Sequence, residues 1–562
     1  MKDFSKAIIE CVPNFSEGRD MTIIKQITDE IETVEGVRLL DVDPGKATNR
    51  TVVTFVGNPQ AVIDAAFLAI KKAGELIDMR HHTGEHPRMG ATDVCPLIPV
   101  SGISMEDTVA FAKKLAKRVG EELDIPVYLY EYAASESYRK NLADIRSGEY
   151  EGFAAKITKP EWKPDYGRAI FNEQSGATVI GARDFLIAYN VNLNTTSTRR
   201  ANAVAFDIRE KGRTKKDEKG KIAKDANGDP IWEPGLLKSV KAIGWFIEEY
   251  GVAQISINLT NMHHTPLHIL FDTACERAAA RGMRVTGSEL VGLVPLEAIL
   301  EAGRYFLRKQ QRSTGVGDAE LIRIAVKSLG LDELGPFDPQ KKIIEYQLQD
   351  NGVKKLVDRS LTRFALETSG ETPAPGGGSI AAYCGVLGAA LGTMVANLSA
   401  HKKGWDSRWE EFSNHADKGQ ELMKELLYLV DEDTNAYNMI MAGFGLPKNT
   451  EEEKAARKAA IDAATVYAIK IPFRTMELAF ASFALAKDMV QHGNPNCASD
   501  AGVAALCARA AVKGTYLNVM TNAKGLQDNA EVHDIIARSE KMNAAAEVLE
   551  QEVWQIALSK MK

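Results

Sequence analysis

The hydrophobic pattern of this chain changes period once, near Lys341, and that change constrains the fold more than any other feature. Before it, short apolar runs of strand length alternate with stretches of helical period. Beyond Leu361 nearly every stretch has helical spacing and is enriched in Ala, Leu and Met, and strand signals nearly vanish. The expectation is an α/β region, with helices layered on a sheet, followed by an all-α helical bundle.

In the first region, residues 7–12, 37–42, 51–56, 92–99 and 127–130 are predicted strands, and 21–33, 59–76 and 105–123 predicted helices. A second unit begins near Gly181, with strands at 185–192 and 252–259 and helices at 196–211 and 266–281. Residues 212–235 are rich in Lys, Asp and Gly without apolar periodicity, which predicts an exposed loop or hairpin. Its lysines, interleaved with Asp and Glu, read as solvated surface rather than as a guide for an anionic chain. Further helices are predicted at 386–399, 414–443, 451–473, 475–492, 499–522 and 529–560. The division is 1–181, 182–348, a linker over 349–356, and 357–562.

Hydrophobic residues make up 45% and charged residues 26% of the 562, enough to bury sizeable cores. The net charge of −7 argues against a nucleic-acid partner, so an anionic substrate needs a local basic pocket. The six cysteines follow no C-x-x-C or other paired spacing, which suits a reducing compartment. The first residues carry no apolar targeting core, and no run of about 18 apolar residues suggests a membrane span. A cytoplasmic location is the expectation.

Two constellations carry chemistry. The first is His81–Gly90, HHTGEHPRMG. His82 and His86 with Glu85 match H-x-x-E-H, a zinc pattern that requires a helix. Gly84 and Pro87 both oppose a helix there. An acid–base histidine on a loop and an ordinary polar loop are the other two readings. The second constellation lies at 420–440. Leu422, Leu426, Leu429, Tyr437 and Ile440 form a helical stripe, and Asp433 falls on it. A carboxylate facing a core has its pKa raised and is either a functional group or a satisfied structural one. Asp431 and Glu432 point off the stripe and read as solvated charges. Pro373–Ala382, PAPGGGSIAA, lacks the strand context of a dinucleotide loop and the Lys of a phosphate loop, so it reads as a loop opening a helix. No nucleotide and no metal is expected.

The segments ECVPNFSEGRD, LLDVDPGKATNRTVVTFVG, GEHPRMGATDVCPLIPV and IPVYLYEYAA resemble glutamate formimidoyltransferases. LIAYNVNL, IGWF and SELVGLVPLEAIL extend the likeness, and the helical half resembles the cyclodeaminase to which such transferases are fused in vertebrates. The resemblance implies ferredoxin-like α/β units and transfer of a formimidoyl group from N-formimidoylglutamate to N5 of tetrahydrofolate. Cyclisation to 5,10-methenyltetrahydrofolate with loss of ammonia follows. It implies tetrahydrofolate, its polyglutamylated form included, as co-substrate and a homo-oligomer as the assembly.

By the same resemblance the transferase acid–base is His86, rather than His81 or His82. Its orienting carboxylate is assigned to Asp43, which otherwise caps the PGKATN turn. Arg50 and Arg88 are candidates for the glutamate carboxylates, with structural ion pairs as the alternative. The folate loop of the family corresponds to Gly167, Arg168, Ala169, Ile170, Phe171, Asn172, Glu173, Gln174, Ser175 and Gly176. Arg168 stands where many relatives have proline. The LVDED run places the cyclodeaminase aspartate at Asp433, and the glycine run places Gly377, Gly378 and Ser379 beside it. A transferase with a purely structural helical half, a non-catalytic folate binder and a metallopeptidase are the rival readings.

Overall fold

The computed structural model describes residues 4, 7–46, 49–84, 87–225, 227–248, 250–347, 355–526 and 529–562. Two compact units are present: Met1–Pro295 with Leu331–Leu348, and Leu296–Gly330 with Gln349–Lys562. Of the expected linker, 349–354 lies outside the described residues.

The first unit starts with β1 (Ile8–Cys11), α1 (Met21–Glu32), β2 (Val37–Gly45), β3 (Arg50–Gly57), α2 (Pro59–Leu76) and β4 (Thr92–Ser101). Asp20 caps α1 through the Thr22 N–H. Asn58 caps α2 through the Gln60 N–H, with Pro59 in the first helical position where no donor is needed. The strands lie antiparallel in the order β2-β3-β1-β4. After α3 (Met105–Glu122) come β5 (Val127–Glu131) and β6 (Thr178–Ala182), and β6 runs parallel between β4 and β5. The short strand Asn14–Phe15 completes a seven-stranded mixed sheet.

The path then repeats. β7 (Ile187–Leu193), α4 (Thr198–Ile208), β8 (Val240–Ile247), β9 (Val252–Leu259), α5 (Leu267–Ala279) and β10 (Val285–Val291) form an antiparallel sheet in the order β8-β9-β7-β10. Both halves therefore follow the same strand–helix–strand–strand–helix–strand route with the same strand order, the ferredoxin-like arrangement. β8 and β10 were not among the predicted strands. β8 exposes Ile243, Trp245 and Phe246, which blurs the in–out alternation. β10 is interrupted by Gly287 and Ser288. The Lys-rich insert is a hairpin, with Arg213–Thr214 paired to Trp232–Glu233.

Strand alternation divides the first sheet into two faces. Ile9, Cys11, Val53, Phe55, Cys95 and Leu97 point into a core with α1, α2 and α3. Glu10, Val12, Val52, Thr54, Val94 and Pro96 point to the other face, the floor of a cleft.

The second unit is helical: α6 (Leu296–Lys309), α7 (Asp318–Leu329), α8 (Gly377–Ala400), α9 (Trp409–Gly445), α10 (Glu451–His492), α11 (Ala498–Asn522) and α12 (Ala530–Met561). α10 runs unbroken through Pro472, where two helices were expected. Proline removes the N–H that would reach Ala468 O, and the Asn522 side chain donates to that carbonyl instead, at 2.8 Å. α8 begins at Gly377, so the glycine run is its first turn rather than a loop before it. α8 is long and apolar enough to cross a membrane, but most of it is buried among neighbouring helices.

The turn between α6 and α7 is wedged against the bundle. The Thr314 N–H donates to Ser413 Oγ (3.0 Å) and its hydroxyl to Asp417 Oδ2 (2.7 Å). Asn397 Nδ2 donates to Gly315 O at 2.8 Å. A Cβ on Gly315 would overlap Ala416 and stand 2.7 Å from Asp417 N, so only glycine fits this approach.

Candidate active sites

The cleft over the first sheet has a volume of about 570 Å³. Its lining mixes carboxyls (Glu10, Asp41, Asp43) with cations (Arg50, Arg146, Arg183, Lys241) and apolar walls. An adjoining cavity of about 640 Å³ shares Tyr130, Arg183 and Lys241 with it. Asp43 and Arg50, two ladder steps apart on the β2–β3 hairpin, both line this cleft. Asp41, two residues before Asp43, is pushed above the ordinary carboxylate range by burial and by the Asp43 charge. Arg146 is paired with the fully buried Asp93.

The histidine loop is tied to that hairpin. His82 Nε2 faces Asn49 O at 2.8 Å, and Asn49 Nδ2 donates to Thr83 O at 3.0 Å. The Arg88 Nε–H donates to His82 Nδ1 at 3.1 Å. Because Nδ1 must accept from a guanidinium, the proton sits on Nε2 and the ring is neutral. Burial lowers the His82 pKa, the Asn49 bond opposes this, and the Arg88 charge adds to the lowering. Both ring nitrogens of His82 are thus engaged, leaving none for a metal. His81 is largely exposed near Asp78. Glu85 and His86 lie outside the described residues; Thr83 and Arg88, on either side, are anchored as above.

Arg88 is a structural residue by its contacts. It is 6% exposed, and its guanidinium pairs with Glu149 (3.0 Å) and Glu151 (2.6 Å). It does not line the cleft that holds Arg50.

Gly167–Gly176 packs against the histidine loop and lines neither of the two cavities above. The Met79 N–H donates to Gln174 O (2.9 Å), the Ala91 N–H to Ser175 O (2.8 Å), and Gly176 bridges to Gly90. Gly167 has φ +81°, and a Cβ there would meet Ile125 O at 2.7 Å. Arg168 pairs with Asp124, Asn172 Oδ1 accepts from the Ser175 N–H, and the Phe171 ring packs tilted against Tyr150 and edge-on to Phe153. Ala169 and Ile170 are exposed, and Glu173 O accepts from the Tyr150 hydroxyl. His263 and His264 sit in the connection from β9 to α5, with His264 Nδ1 against Ser239 Oγ at 2.9 Å.

The second constellation closes around the first turn of α8. Asp433 Oδ2 accepts from the Ser379 N–H (2.9 Å) and from the Ser379 hydroxyl (3.2 Å). A Cβ on Gly378 would overlap the Asp433 carboxylate, so a glycine is required for the approach. Burial raises the Asp433 pKa, and the two Ser379 bonds oppose it without cancelling it. Beside Gly377 lies the Asn518 amide, whose Nδ2 is buried and has no hydrogen-bond partner among the described residues.

Asp431 and Glu432, read above as solvated, are engaged. Asp431 Oδ1 accepts from the Leu356 N–H at 2.6 Å. Glu432 is 9% exposed and accepts from the Tyr467 hydroxyl at 2.5 Å and from Asn435 at 3.1 Å. α9 is covered on more than one side, by α8, α10 and the segment around Leu356, so a single apolar stripe understated its buried surface.

Three family models match the chain in succession: the formiminotransferase domain, N-terminal subdomain, over residues 8–183; the formiminotransferase domain over 188–349; and formiminotransferase-cyclodeaminase over 360–541. The formimidoyltransferase-cyclodeaminase of Gallus gallus is 43% identical over 93% of this chain and 93% of its own length. That of Dictyostelium discoideum is 42% identical over 98% of both. The glutamate formimidoyltransferase of Thermoplasma acidophilum is 43% identical over 54% of this chain and 93% of its own length. With three family models in succession and near-full-length likeness of this kind, the chain belongs to the formimidoyltransferase-cyclodeaminase family.

Proposed function

We propose that the chain carries out two consecutive folate reactions. In the first, N5 of tetrahydrofolate attacks the formimidoyl carbon of N-formimidoyl-L-glutamate. The N5 proton passes to His86, the bond to the glutamate nitrogen breaks, and His86 returns the proton to that nitrogen. Asp43 orients the histidine, and Arg50, with the other cations of the cleft, holds the glutamate carboxylates.

In the second reaction N10 attacks the formimidine carbon and closes the five-membered ring. Its proton moves to the imine nitrogen, Asp433 supplies a second, and ammonia leaves as 5,10-methenyltetrahydrofolate forms. A carboxyl with a raised pKa suits this donation. Gly377, Gly378 and Ser379 place the substrate beside it.

The observation that carries this reading is the Asp433–Ser379 contact on the same chain as the Asp43–Arg50 cleft, in a protein related over nearly its whole length to bifunctional enzymes. A role in histidine breakdown and a cytoplasmic location are part of this reading. Leu387, Met394 and Leu398 form an exposed apolar stripe on α8, which supports assembly as a homo-oligomer. The test mixes the purified protein with N-formimidoylglutamate and tetrahydrofolate and follows glutamate, ammonia and methenyltetrahydrofolate absorbance. All three rise if the reading holds; glutamate alone would leave a transferase with a structural bundle.

A further inference from the structure

Glu10 is a carboxyl in the middle of an interior strand. β1 pairs with β3 on one side and β4 on the other, with Glu10 opposite Val56 and Ile98. It is 3% exposed, and its neighbours Ile9 and Cys11 are wholly buried on the opposite face. Alternation therefore turns its side chain to the cleft floor, which it lines. No hydrogen bond to its carboxyl is found among the described residues. Arg183 is the cation that acts on it, and Arg183 itself donates to Asp184 O at 2.9 Å and bonds Tyr130. Burial pushes the Glu10 pKa up to about 7, with Arg183 opposing.

A buried carboxyl without a partner is costly, and the chain gains no packing from it that a leucine would not supply. It is explained if a substrate supplies the missing donors. The walls near it are apolar: Val12, Val52, Val94, Pro96 and Phe185. A flat heteroaromatic ring fits such walls. Of the two transferase substrates, N-formimidoylglutamate carries two carboxylates, which Glu10 repels and the cleft cations attract. The pterin of tetrahydrofolate presents N3–H and its 2-amino group side by side, two parallel donors that match the two oxygens of a carboxyl.

We infer that Glu10 binds the pyrimidine edge of the pterin through these two donors and so seats tetrahydrofolate on the sheet floor. The inference rests on the transferase reading above. Glu10 is a binding residue in this account and takes no proton from the reacting atoms.

The test is glutamate release by the full-length protein, which reports the transferase step alone. Glu10→Gln keeps the shape but offers one donor and one acceptor. The expected result is a KM for tetrahydrofolate raised about tenfold or more, with the KM for N-formimidoylglutamate within about twofold of the parent. Wild-type protein should discriminate against a 2-desamino tetrahydrofolate about tenfold, and the variant should lose most of that preference. A rise in the formimidoylglutamate KM instead would assign Glu10 to the donor amidine and overturn the proposal, as would unchanged constants for both substrates. Should Glu10→Gln fail to fold, the wild-type protein decides: equal use of the desamino analogue overturns the assignment. A wild-type protein that releases no glutamate would sink the transferase reading itself, a different outcome from a working enzyme indifferent to Glu10.

Discussion

The backbone N–H of Ser379 donates to Oδ2 of Asp433 at 2.9 Å, so the first turn of one helix binds a carboxylate from the middle of another. Such a turn has free donors and a partial positive charge, both of which favour an anion. Burial nonetheless wins, and the carboxyl stays above its ordinary pKa.

Replacing Asp433 by Asn should separate the two activities. Ammonia release is expected to fall by about 10²–10⁴-fold, the usual worth of a positioned acid, while glutamate release stays near the parent rate. Methenyltetrahydrofolate forming at the wild-type rate in this variant would remove Asp433 from the mechanism.

The same substitution has a pH signature in stability. A carboxyl whose folded pKa is raised favours the fold when protonated. Its contribution is full below the ordinary value of 3.8 and is lost as pH rises through the folded value. Asp433→Asn is therefore expected to melt at or above the wild-type temperature at about pH 8, with the difference narrowing toward about pH 4. Thermal melts across that range decide it; a variant uniformly less stable would contradict the strain assigned to the charged form.

Gly378→Ala sets two effects of opposite sign against each other. Alanine inside a helix is ordinarily worth about 1 kcal/mol over glycine. Overlap with the Asp433 carboxylate should cost about 1–3 kcal/mol and displace the acid. The expected outcome is lost ammonia release with no gain in stability and with transfer intact. A more stable, fully active variant would show that the carboxylate can move aside freely.

Arg50→Ala and Arg88→Ala should differ in kind. Arg50 lines the cleft, and its loss is expected to raise the KM for N-formimidoylglutamate by about 10–100-fold. Arg88 is committed to Glu149 and Glu151, both partly exposed, so its loss should cost about 1–2 kcal/mol of stability and act on kcat by loosening the histidine loop. Denaturation curves beside steady-state kinetics separate the two; a large KM effect from Arg88→Ala would place it among the substrate ligands.

His86→Ala is expected to stop glutamate release, again by about 10²–10⁴-fold, and to spare the cyclisation of supplied 5-formimidoyltetrahydrofolate. Retained transfer would assign the acid–base role to another residue.

Much of the architecture is legible in the amino-acid sequence alone. The period change near Lys341 separated α/β from all-α architecture because the two element types bury residues at different intervals. The stripe Leu422–Leu426–Leu429 pointed to Asp433 for the same reason. What escaped was set by tertiary context. β8 carries apolar side chains on both faces, so alternation could not announce it. Pro472 reads as a helix break until Asn522, fifty residues on, is seen to satisfy Ala468. Glu432 looked solvated because Tyr467 belongs to another helix. Glu10 had a local signal, a lone acid inside the apolar run AIIECV, but the open cleft it faces is made by distant strands.

The wedge at Gly315 bears on how the gene can be divided. By sequence, the α6–α7 hairpin falls inside the stretch matched by the transferase model, yet by packing it belongs with the helical unit, through Thr314, Ser413, Asp417 and Asn397. An open reading frame begun at residue 357 would encode every helix from α8 onward and still leave an unfilled socket around Ala416. Expressing the downstream half alone is thus expected to yield a protein that depends on salvaging that hairpin, either supplied in trans or grafted onto its N-terminus.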